Sequence, residues 1–453
     1  MREIIHFYHI NDLHSHFEHW KRIENFIHER KKWHLGAEEE TIILDLGDHS
    51  DRFHPFTEAL SGKGNVKLLN NLGCQYVTIG NNEGITFSYE ELDHLYDDAT
   101  FNVLVANLYN QSGERPSWAK PYHIHQTVKG TRIAFIGATA YFRVFYEMLG
   151  WKITDPQEEI IVAVDEVKNQ CDVIVLLSHL GLEHDKQLAE HIPEIDIILG
   201  AHTHHILHEG MYVQNTLLCG AGKGGTFVGH VEIEVDTTKH PISKKTRLYN
   251  MNEQDPVNNE SEFTYKLFKI GKERLEKEVC HLPRSLPVRW FEESTITKLL
   301  CDALQEYCQA DCAFINAGLL LDGLKKGPVT LFDLHRICPH PINPCVIEMS
   351  GQELKEVLLQ SQNPDWPHKQ VKGFGFRGSI LGVMIYSNIK IISPKEIYIG
   401  DVQLDLKKTY TLAIPDMYTF GYFFPSIKRS EKKTYKPLFL RNVLASKLST
   451  MSM

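Results

Sequence analysis

Metal-binding side chains directly follow apolar runs at five places in the first half of this sequence. The segments are Asp12-Leu13-His14, Gly47-Asp48, Gly80-Asn81-Asn82-Glu83, Ser178-His179 and Ala201-His202-Thr203-His204. Carboxylate and imidazole groups together bind divalent ions such as Mn²⁺, Zn²⁺ or Fe²⁺. One carboxylate can bridge two such ions about 3.5–4 Å apart, and sites of this kind hydrolyse phosphate esters.

Each segment lies where a strand is expected to end. The strand-like runs span residues 4–10, 41–46, 76–79, 173–177 and 195–199. The carboxyl ends of strands in an α/β sheet form the rim where ligands bind. We therefore predict that seven metal ligands converge there: Asp12, His14, Asp48, Asn81, His179, His202 and His204. One histidine among 25 is a weak signal, but five such segments in this order favour two divalent metal ions as cofactors.

Length and composition narrow the class of protein. A chain of 453 residues predicts two or three domains, and 42% hydrophobic with 23% charged residues is typical of globular proteins. The net charge of -10 disfavours a nucleic-acid partner. Nine cysteines without a Cys-x-x-Cys pair indicate reduced thiols and a cytoplasmic location. We expect neither a signal peptide nor a membrane-spanning segment, and the oligomeric state stays open.

Alternating strand-like and helix-like runs predict βαβ units in a first domain over residues 1–240. Its predicted helices span 18–32, 57–72, 88–98 and 157–170, and its further strands 132–138, 212–219 and 226–235. The polar stretch 236–259 predicts an irregular strand and a linker, and 262–279 a bridging helix, so that residues 241–290 join the domains. A second, α+β domain is predicted over 291–453, with helices at 295–309 and 350–361 and strands at 313–316, 346–349, 383–386 and 409–414.

The order of the five segments resembles that of the calcineurin-like metallophosphoesterases: Asp-x-His, Gly-Asp, Gly-Asn-His-Glu, His and Gly-His-x-His. The start "HINDLHSHFE" and the second half narrow the resemblance to the bacterial 5'-nucleotidase family. It implies an α/β fold, in which a four-layer α/β/β/α sandwich precedes a C-terminal 5'-nucleotidase-like domain that binds the substrate. It also implies hydrolysis of a nucleotide or a similar small phosphate ester by a metal-bound hydroxide.

The resemblance assigns the predicted ligands to two metal ions, with Asp48 as the bridge. Asp12, His14 and His204 would hold the first ion, and Asn81, His179 and His202 the second.

The chain departs from the family at the Gly-Asn-His-Glu segment. Asn82 replaces the histidine that contacts the phosphate, and Ile85 replaces the aspartate that orients it. Asparagine donates a hydrogen bond but carries neither a transferable proton nor a positive charge. We therefore predict Asn82 as a catalytic residue of reduced power, with His49 as the first candidate for a substitute acid. His16 and His205 are further candidates. The alternative for all three is a position at the surface, or one that contacts the metal ligands without reaching the substrate.

The second domain carries candidate substrate-binding residues. Residues 316–321 resemble the family's Asn-x-Gly-Gly-x-Arg element, although Leu321 stands at the position of its arginine. Residues 373–379 resemble the family's glycine-rich loop, and 416–423 lie where the family supplies a second aromatic ring. The predicted base-stacking and anion-binding residues are Phe374, Phe376, Arg377, Tyr422, Phe423 and Arg336. The alternative is that the aromatic rings fill a core and the charges are solvated.

Three functions are compatible with these observations. The first is a two-metal phosphohydrolase acting on a nucleotide or a related small phosphate ester. The second is a phosphodiesterase or diphosphatase, whose acidic leaving group tolerates the missing general acid. The third is a regulatory protein that binds metal and nucleotide with weakened turnover. The seven ligands favour hydrolysis, and the replaced histidine and aspartate favour the other two.

Overall fold

The computed structural model describes residues 2–236, 238, 241–371, 373, 375–420 and 423–451. The chain forms two compact units, Met1–Gly271 and Lys272–Met453. The boundary falls inside the stretch 241–290 that the sequence analysis assigned to a linker and bridging helix.

The first unit is built from strands and helices that alternate along much of its length. Its strands are β1 (Glu3–Ile10), β2 (Glu40–Asp45), β3 (Tyr76–Val77), β4 (Asn102–Leu104), β5 (Leu108–Tyr109), β6 (Ala119–Lys120), β7 (Tyr122–Gln126), β8 (Arg132–Ala138), β9 (Lys152–Ile153), β10 (Val173–Ser178), β11 (Ile197–Gly200), β12 (Met211–Val213), β13 (Thr216–Gly220), β14 (Phe227–Val235) and β15 (Pro241–Asn250). Its helices are α1 (Trp20–Gly36), α2 (Pro55–Ala59), α3 (Lys63–Leu72), α4 (Asn81–Thr86), α5 (Tyr89–Asp93), α6 (Arg143–Leu149), α7 (Pro156–Val167), α8 (Leu182–His191) and α9 (Glu260–Leu275), which runs across the boundary.

Two large mixed sheets form the centre of this unit. The first has the order β15-β14-β1-β2-β3-β4-β6, in which β1, β2, β3, β4 and β6 are parallel. The second has the order β12-β13-β11-β10-β8-β7, in which β8, β10, β11 and β13 are parallel. Parallel neighbours place their carboxyl ends on the same edge, which is where the predicted ligands follow.

The sheets pack face to face because both faces of their central strands are apolar. On β1, Ile5 and Phe7 belong to the core shared with the second sheet, where Phe7 meets Phe135 edge-on at 5.7 Å. Tyr8 and Ile10 point to the opposite face, which α1 and α3 cover. Helices α7 and α8 cover the outer face of the second sheet. The unit is thus a four-layer α/β/β/α sandwich, as the resemblance implied.

Several predicted elements differ from the observed ones. The irregular strand predicted within 236–259 is a full antiparallel edge strand against β14 over residues 241–250, so the linker does not begin at 241. Lysines and serine on a half-exposed edge hide the regular strand pattern. The helix predicted over 57–72 is broken into α2 and α3 around Gly62, which has a φ of 76°. The strand predicted over 212–219 is divided by a turn at Gln214, and the bridging helix ends at Leu275.

The second unit is α+β, as predicted. Its strands are β16 (Glu278–Leu282), β17 (Cys312–Asn316), β18 (Gly327–Thr330), β19 (Pro344–Ser350), β20 (Met384–Ser387), β21 (Ile389–Ser393), β22 (Glu396–Ile399), β23 (Val402–Gln403), β24 (Thr409–Pro415) and β25 (Lys433–Tyr435). Its helices are α10 (Thr295–Cys308), α11 (Leu331–Ile337), α12 (Gly351–Ser361), α13 (Met417–Phe420), α14 (Pro425–Arg429) and α15 (Leu440–Met451). The main sheet has the order β20-β17-β24-β19-β25 and shares one core with α10, α12 and α15.

All nine cysteines are free. Across the described residues, we find no helix with both the length and the apolar character needed to cross a membrane.

The pairing of β1 with β14 supplies a test of the packing. Gly229 lies opposite His9, and a Cβ atom at Gly229 would come within 2.0 Å of His9 Nε2. Because both residues are buried, we expect Gly229→Ala to lower the free energy of unfolding by about 1–3 kcal/mol, measured by urea denaturation. The control is Gly36→Ala at the end of α1, where a Cβ atom meets no described heavy atom within 4 Å. Equal stability of the two variants would contradict the packing at His9.

Candidate metal centre

The predicted ligands all lie at the carboxyl ends of adjacent strands. Asp12 and His14 follow β1, and Asp48 follows β2. Asn81 is the first residue of α4, a few residues after β3. On the second sheet, His179 follows β10, and His202 and His204 follow β11. The two sheets therefore contribute ligands to the same edge of the sandwich.

The loops that carry these residues are held in a strained backbone conformation. Five of the seven predicted ligands have a positive φ although none is glycine: Asp12 (49°), His14 (49°), Asp48 (51°), His202 (71°) and His204 (58°). Such a conformation costs on the order of 1–3 kcal/mol per residue and persists where the surroundings enforce it, commonly at functional sites. The sharp turns aim the side chains at the rim rather than along the strands.

Asp12, His14 and His204 form a first group of ligand atoms. Asp12 Oδ1 lies 3.4 Å from His204 Nε2 and 3.8 Å from His14 Nε2. The two imidazole nitrogens are 3.2 Å apart. Nitrogen ligands about 2.0–2.1 Å from one tetrahedral ion have a similar separation, about 3.3 Å. The three side chains can thus hold one ion.

Asp12, Asp48 and His179 form a second group. His179 Nε2 lies 3.5 Å from Asp48 Oδ2 and 3.9 Å from Asp12 Oδ1. Asp48 Oδ2 is also 3.7 Å from His14 Nε2, so each carboxylate is close to both groups. The ring of His202 is 5.3 Å from that of His179, centroid to centroid.

The residues present fit divalent ions. The Nδ1 atom of His179 donates to the carbonyl oxygen of Leu46 at 2.7 Å, so Nε2 is the nitrogen that faces the two carboxylates and would bind an ion once it has lost its proton. His179 Nε2 and Asn81 Oδ1 are both buried without a hydrogen-bond partner among the described residues. Buried polar atoms without partners are rare, and a coordinated cation accounts for both.

Electrostatics also favours cations here. Burial alone would raise the pKa of Asp12, but His204, His179 and His14 outweigh it and lower it. Burial would likewise raise the pKa of Asp48, and His179 and His14 again lower it. Burial would lower the pKa of His179, yet the two carboxylates raise it to about 10. The carboxylates thus retain their charge and attract positive charge.

Glu83 ties two of the ligand loops together, a role that the sequence analysis missed. Its Oε2 accepts hydrogen bonds from the backbone N–H groups of Asp48 and Gly80, each at 2.9 Å, and its Oε1 accepts one from Ser50 at 2.8 Å. A Cβ atom on Gly80 would lie 2.0 Å from Asp48 Oδ1, so only glycine permits this approach. Glu83 is buried. The available sequence signal was its place as the last residue of the Gly80–Glu83 segment.

Asn11 is a second missed residue. Its Nδ2 donates to Asp12 Oδ2 at 2.8 Å and to the carbonyl oxygen of Gly222 at 2.7 Å. It therefore fixes the orientation of the carboxylate shared by both groups. Its position directly before Asp12 was the available signal.

Asn82 contacts a predicted ligand. Its amide group lies 2.7 Å from His14 Nδ1, and its backbone N–H donates to Asp48 Oδ1 at 2.7 Å. The amide atom nearest the ring is Nδ2, a donor. A metal ion on His14 Nε2 requires a proton on Nδ1, so the amide would have to turn its oxygen toward the ring, or the carboxylate of Asp51, 3.5 Å away, would accept that proton. Asn82 therefore acts on the ion site by orienting a ligand, whereas Ile85 packs against the apolar core of this layer.

His49 is placed differently from the expectation. Its ring meets Trp20 edge-on at 5.1 Å, and its Nδ1 lies 3.2 Å from Asn65 Nδ2. Burial lowers the pKa of His49 to about 3, so the ring is neutral. This location argues against the acid role predicted from the sequence. His16 is half-exposed, within 3.7 Å of Glu18, and exposed His205 contacts Thr203.

In the second unit, two of the predicted aromatic rings belong to the core. Phe376 is 4% exposed and stacks on His340 at 5.1 Å, and Phe423 is 7% exposed and meets Trp366 edge-on at 5.3 Å. The imidazole of His340 covers one face of Phe376, the ammonium of Lys369 lies 4.9 Å from the centroid of the Phe423 ring, and both rings pack into the core of this unit. The base-stacking prediction for these two is therefore not supported. Phe374 and Tyr422 lie outside the described residues.

The predicted anion-binding arginines lie in separate settings. Arg336 on α11 forms an ion pair with Asp322, and its side chain is 38% exposed. Arg377 is half-buried, and its backbone N–H donates to His340 Nδ1 at 2.9 Å. The anion-binding roles of Arg336 and Arg377 stay predictions.

The charge balance of the centre predicts a strong pH dependence of metal binding. A histidine must be neutral to bind an ion, and the pKa values of His14 and His179 are raised. Below those pKa values, metal binding displaces protons. As the pH rises from about 6 to 8, we expect the dissociation constant of Mn²⁺ to fall by about tenfold or more per pH unit. The measurement is calorimetry. Proton uptake or no proton exchange on binding would contradict this assignment.

Comparison with known proteins now identifies the family. A model of the calcineurin-like phosphoesterases matches residues 5–205, and one of the 5'-nucleotidase C-terminal domain matches residues 273–422. A Bacillus subtilis relative, uncharacterized metallophosphoesterase YunD, is 44% identical over 461 residues, which cover 99% of this chain and 100% of the relative.

Two solved structures share the fold. A proposed 5'-nucleotidase from Staphylococcus aureus in complex with alpha-ketoglutarate has a TM-score of 0.71 at 19% identity, covering 99% of this chain and 97% of that one. The NAD nucleotidase of Haemophilus influenzae has a TM-score of 0.65 at 16% identity, covering 100% and 97%. The chain therefore belongs to the calcineurin-like metallophosphoesterases that carry a 5'-nucleotidase C-terminal domain.

Proposed function

We propose that this protein is a two-metal phosphohydrolase that releases phosphate from a nucleotide or a related small phosphate ester. The observation that carries the proposal is the pair of ligand groups sharing Asp12, each with its ligand atoms within 4.8 Å of one another. Two ions held by these two groups of ligands would activate a water molecule and neutralise charge on the phosphoryl oxygens. The family relationship supports phosphoester hydrolysis. Nine free cysteines are in keeping with a cytoplasmic location, which we retain as part of the proposal.

The chain's own residues would hold and orient the reacting groups. Asp12 and Asp48 keep negative charge between the two histidine groups, so that ions bind without a net repulsion. Asn11 and Glu83 fix the carboxylates through hydrogen bonds to Asp12 and to the backbone of Asp48. Asn82 holds His14 and can donate a neutral hydrogen bond to a phosphoryl oxygen, but it supplies no proton to the leaving group.

The lack of an acid at residue 82 favours a second candidate function. A diphosphate, or a phosphodiester with an activated leaving group, has an acidic leaving group, which departs without protonation. The fold of the NAD nucleotidase, a protein named for a dinucleotide substrate, is shared over the whole chain. We therefore retain a diphosphatase or phosphodiesterase activity as the alternative.

A screen of the purified full chain separates these candidates. The protein with Mn²⁺ is incubated with nucleotides, sugar-nucleotides, diesters and an activated aryl phosphate, and phosphate or monoester release is measured. We expect release from nucleoside monophosphates for the first function, and cleavage confined to diphosphates, diesters and the aryl ester for the second. Metal binding without turnover of any class would contradict both.

Replacement of Asp48 tests the metal centre directly. We expect Asp48→Asn to lose metal and to lower activity more than about 100-fold, because the carboxylate is close to both groups of histidines. Metal content is measured by elemental analysis and activity by phosphate release. Asp165→Asn is the matched control, since the Asp165 side chain is 60% exposed. Two ions at full occupancy in Asp48→Asn would disprove its proposed role.

The missing histidine and aspartate supply another test. Asn82→His alone should help little, because an unoriented imidazole is a poor proton donor. Together with Ile85→Asp, we expect a gain of about 10²-fold at best on alkyl monophosphates, and a smaller gain on an activated aryl ester, which needs no acid. The ratio of the two rates is the measurement. A folded, metal-loaded double variant with an unchanged ratio would show that proton donation does not limit the reaction.

A further inference from the structure

Three histidines meet in the first unit, away from the predicted metal ligands. His6 lies on β1, His34 on the last turn of α1 and His230 on β14. Together with Glu39, which precedes β2, they form what we call the histidine cluster. The side chains of His6 and His34 are 3% and 1% exposed, and that of Glu39 is 20% exposed. Imidazoles so enclosed need defined partners.

The carboxylate of Glu39 determines which nitrogens carry protons. Its Oε2 lies 3.0 Å from His6 Nε2 and 3.1 Å from His34 Nδ1. An ionised carboxylate only accepts hydrogen bonds, so both of these nitrogens carry protons and donate them. The remaining nitrogens, His6 Nδ1 and His34 Nε2, are therefore lone pairs. A carboxylate that receives the second N–H of a histidine is the usual arrangement behind metal-binding imidazoles.

The lone pairs face further polar groups. His6 Nδ1 lies 3.0 Å from His230 Nε2, and one ring nitrogen of each of the three histidines lies within 4.8 Å of one from both others. His34 Nε2 accepts a hydrogen bond from the hydroxyl of Tyr8 at 2.9 Å, which an ion on this nitrogen would displace. The close approach of His6 to His230 matches the 3.2 Å between His14 and His204 in the metal centre.

Neighbouring groups hold the imidazoles in place and keep them neutral. The rings of His6 and His34 stack at 3.6 Å, and Tyr8 stacks on His230 at 4.5 Å. Because an imidazole lone pair lies in the plane of its ring, the ring of His34 would turn out of this stack to share an ion with His6. Burial, followed by the neighbouring His6, lowers the pKa of His230 to about 3. Burial also lowers the pKa of His34. Neutral imidazole is the form that binds a metal ion.

We propose that His6, His34 and His230 bind one structural Zn²⁺ ion, with Glu39 orienting two of the rings. Three imidazoles suit a borderline ion such as Zn²⁺, whereas Mg²⁺ and Ca²⁺ prefer oxygen ligands. The ion would take the place of the proton between His6 and His230. It would join β1, α1 and β14, three elements distant in sequence, and so stabilise the outer layer of the sandwich.

The first experiment measures zinc binding to the full chain. After dialysis against a modest excess of Zn²⁺, we expect His34→Asn to bind one zinc ion fewer than the wild type. His28→Asn is the matched control, because His28 lies on the same helix and is exposed. Zinc should also raise the melting temperature of His28→Asn by about 5 °C more than that of His34→Asn. Equal zinc content in the two folded variants would overturn the proposal.

A second measurement does not depend on any variant. Crystals of the full chain grown with Zn²⁺ are measured above and below the zinc absorption edge. An anomalous difference peak between His6 Nδ1 and His230 Nε2 is expected. Peaks confined to the site of Asp12 and Asp48 would overturn the proposal and leave the cluster as a hydrogen-bonded network of neutral imidazoles. This outcome does not depend on the proposed phosphohydrolase function, because none of the residues of the histidine cluster is a predicted ligand of the metal centre at Asp12 and Asp48.

Discussion

The carboxylate of Glu83 is the interaction on which the metal centre depends. It accepts hydrogen bonds from the backbone of Asp48, Ser50 and Gly80, and so joins the loop after β2 to the start of α4. Each of these N–H groups would otherwise be buried without a partner, at a cost of about 1–3 kcal/mol. Without this connection, the strained turn at Asp48 would relax toward ordinary β or α geometry, and its carboxylate would leave the rim.

The strain in the ligand loops is sustained by the cores on both sides of each sheet. The core between the sheets contains the buried side chains of Ile5, Phe7, Val175 and Leu177, and it fixes the strands from which the loops leave. Fully burying such a side chain contributes about 1.5–3 kcal/mol, so a few of them offset several strained residues. A rigid sandwich thus allows side chains from two sheets to meet, which no single sheet could arrange with this geometry.

Much of the centre could be predicted from the sequence because its signal is local. A strand followed at once by Asp-x-His or His-x-His can be recognised from only a few consecutive residues. The edge strand β15 was predicted only as an irregular strand before a linker, because it is half-exposed and Lys244 and Lys245 interrupt the alternation. Phe376 and Phe423 were misassigned because a short aromatic segment does not reveal whether its rings face a core or a ligand. His6, His34 and His230 carried no joint signal, since their proximity arises only from the pairing of β1 with β14 and the packing of α1.

The position of Asn82 connects the departure from the family to the chemistry. The resemblance implies that the family's histidine at this position contacts the phosphate of the substrate. In this chain, the amide of Asn82 lies 2.7 Å from His14 Nδ1 and so contacts a predicted metal ligand. A neutral amide cannot stabilise a leaving group by transferring a proton, so under the proposed function the metal ions and the acidity of the leaving group would account for more of the rate. Ile85 packs against the core, which leaves no carboxylate to orient a proton donor at this position. The two departures from the family motif are thus mutually consistent, because residue 82 is not an acid and residue 85 is not a carboxylate that could orient one. This is the physical reason to weigh substrates with acidic leaving groups alongside nucleoside monophosphates.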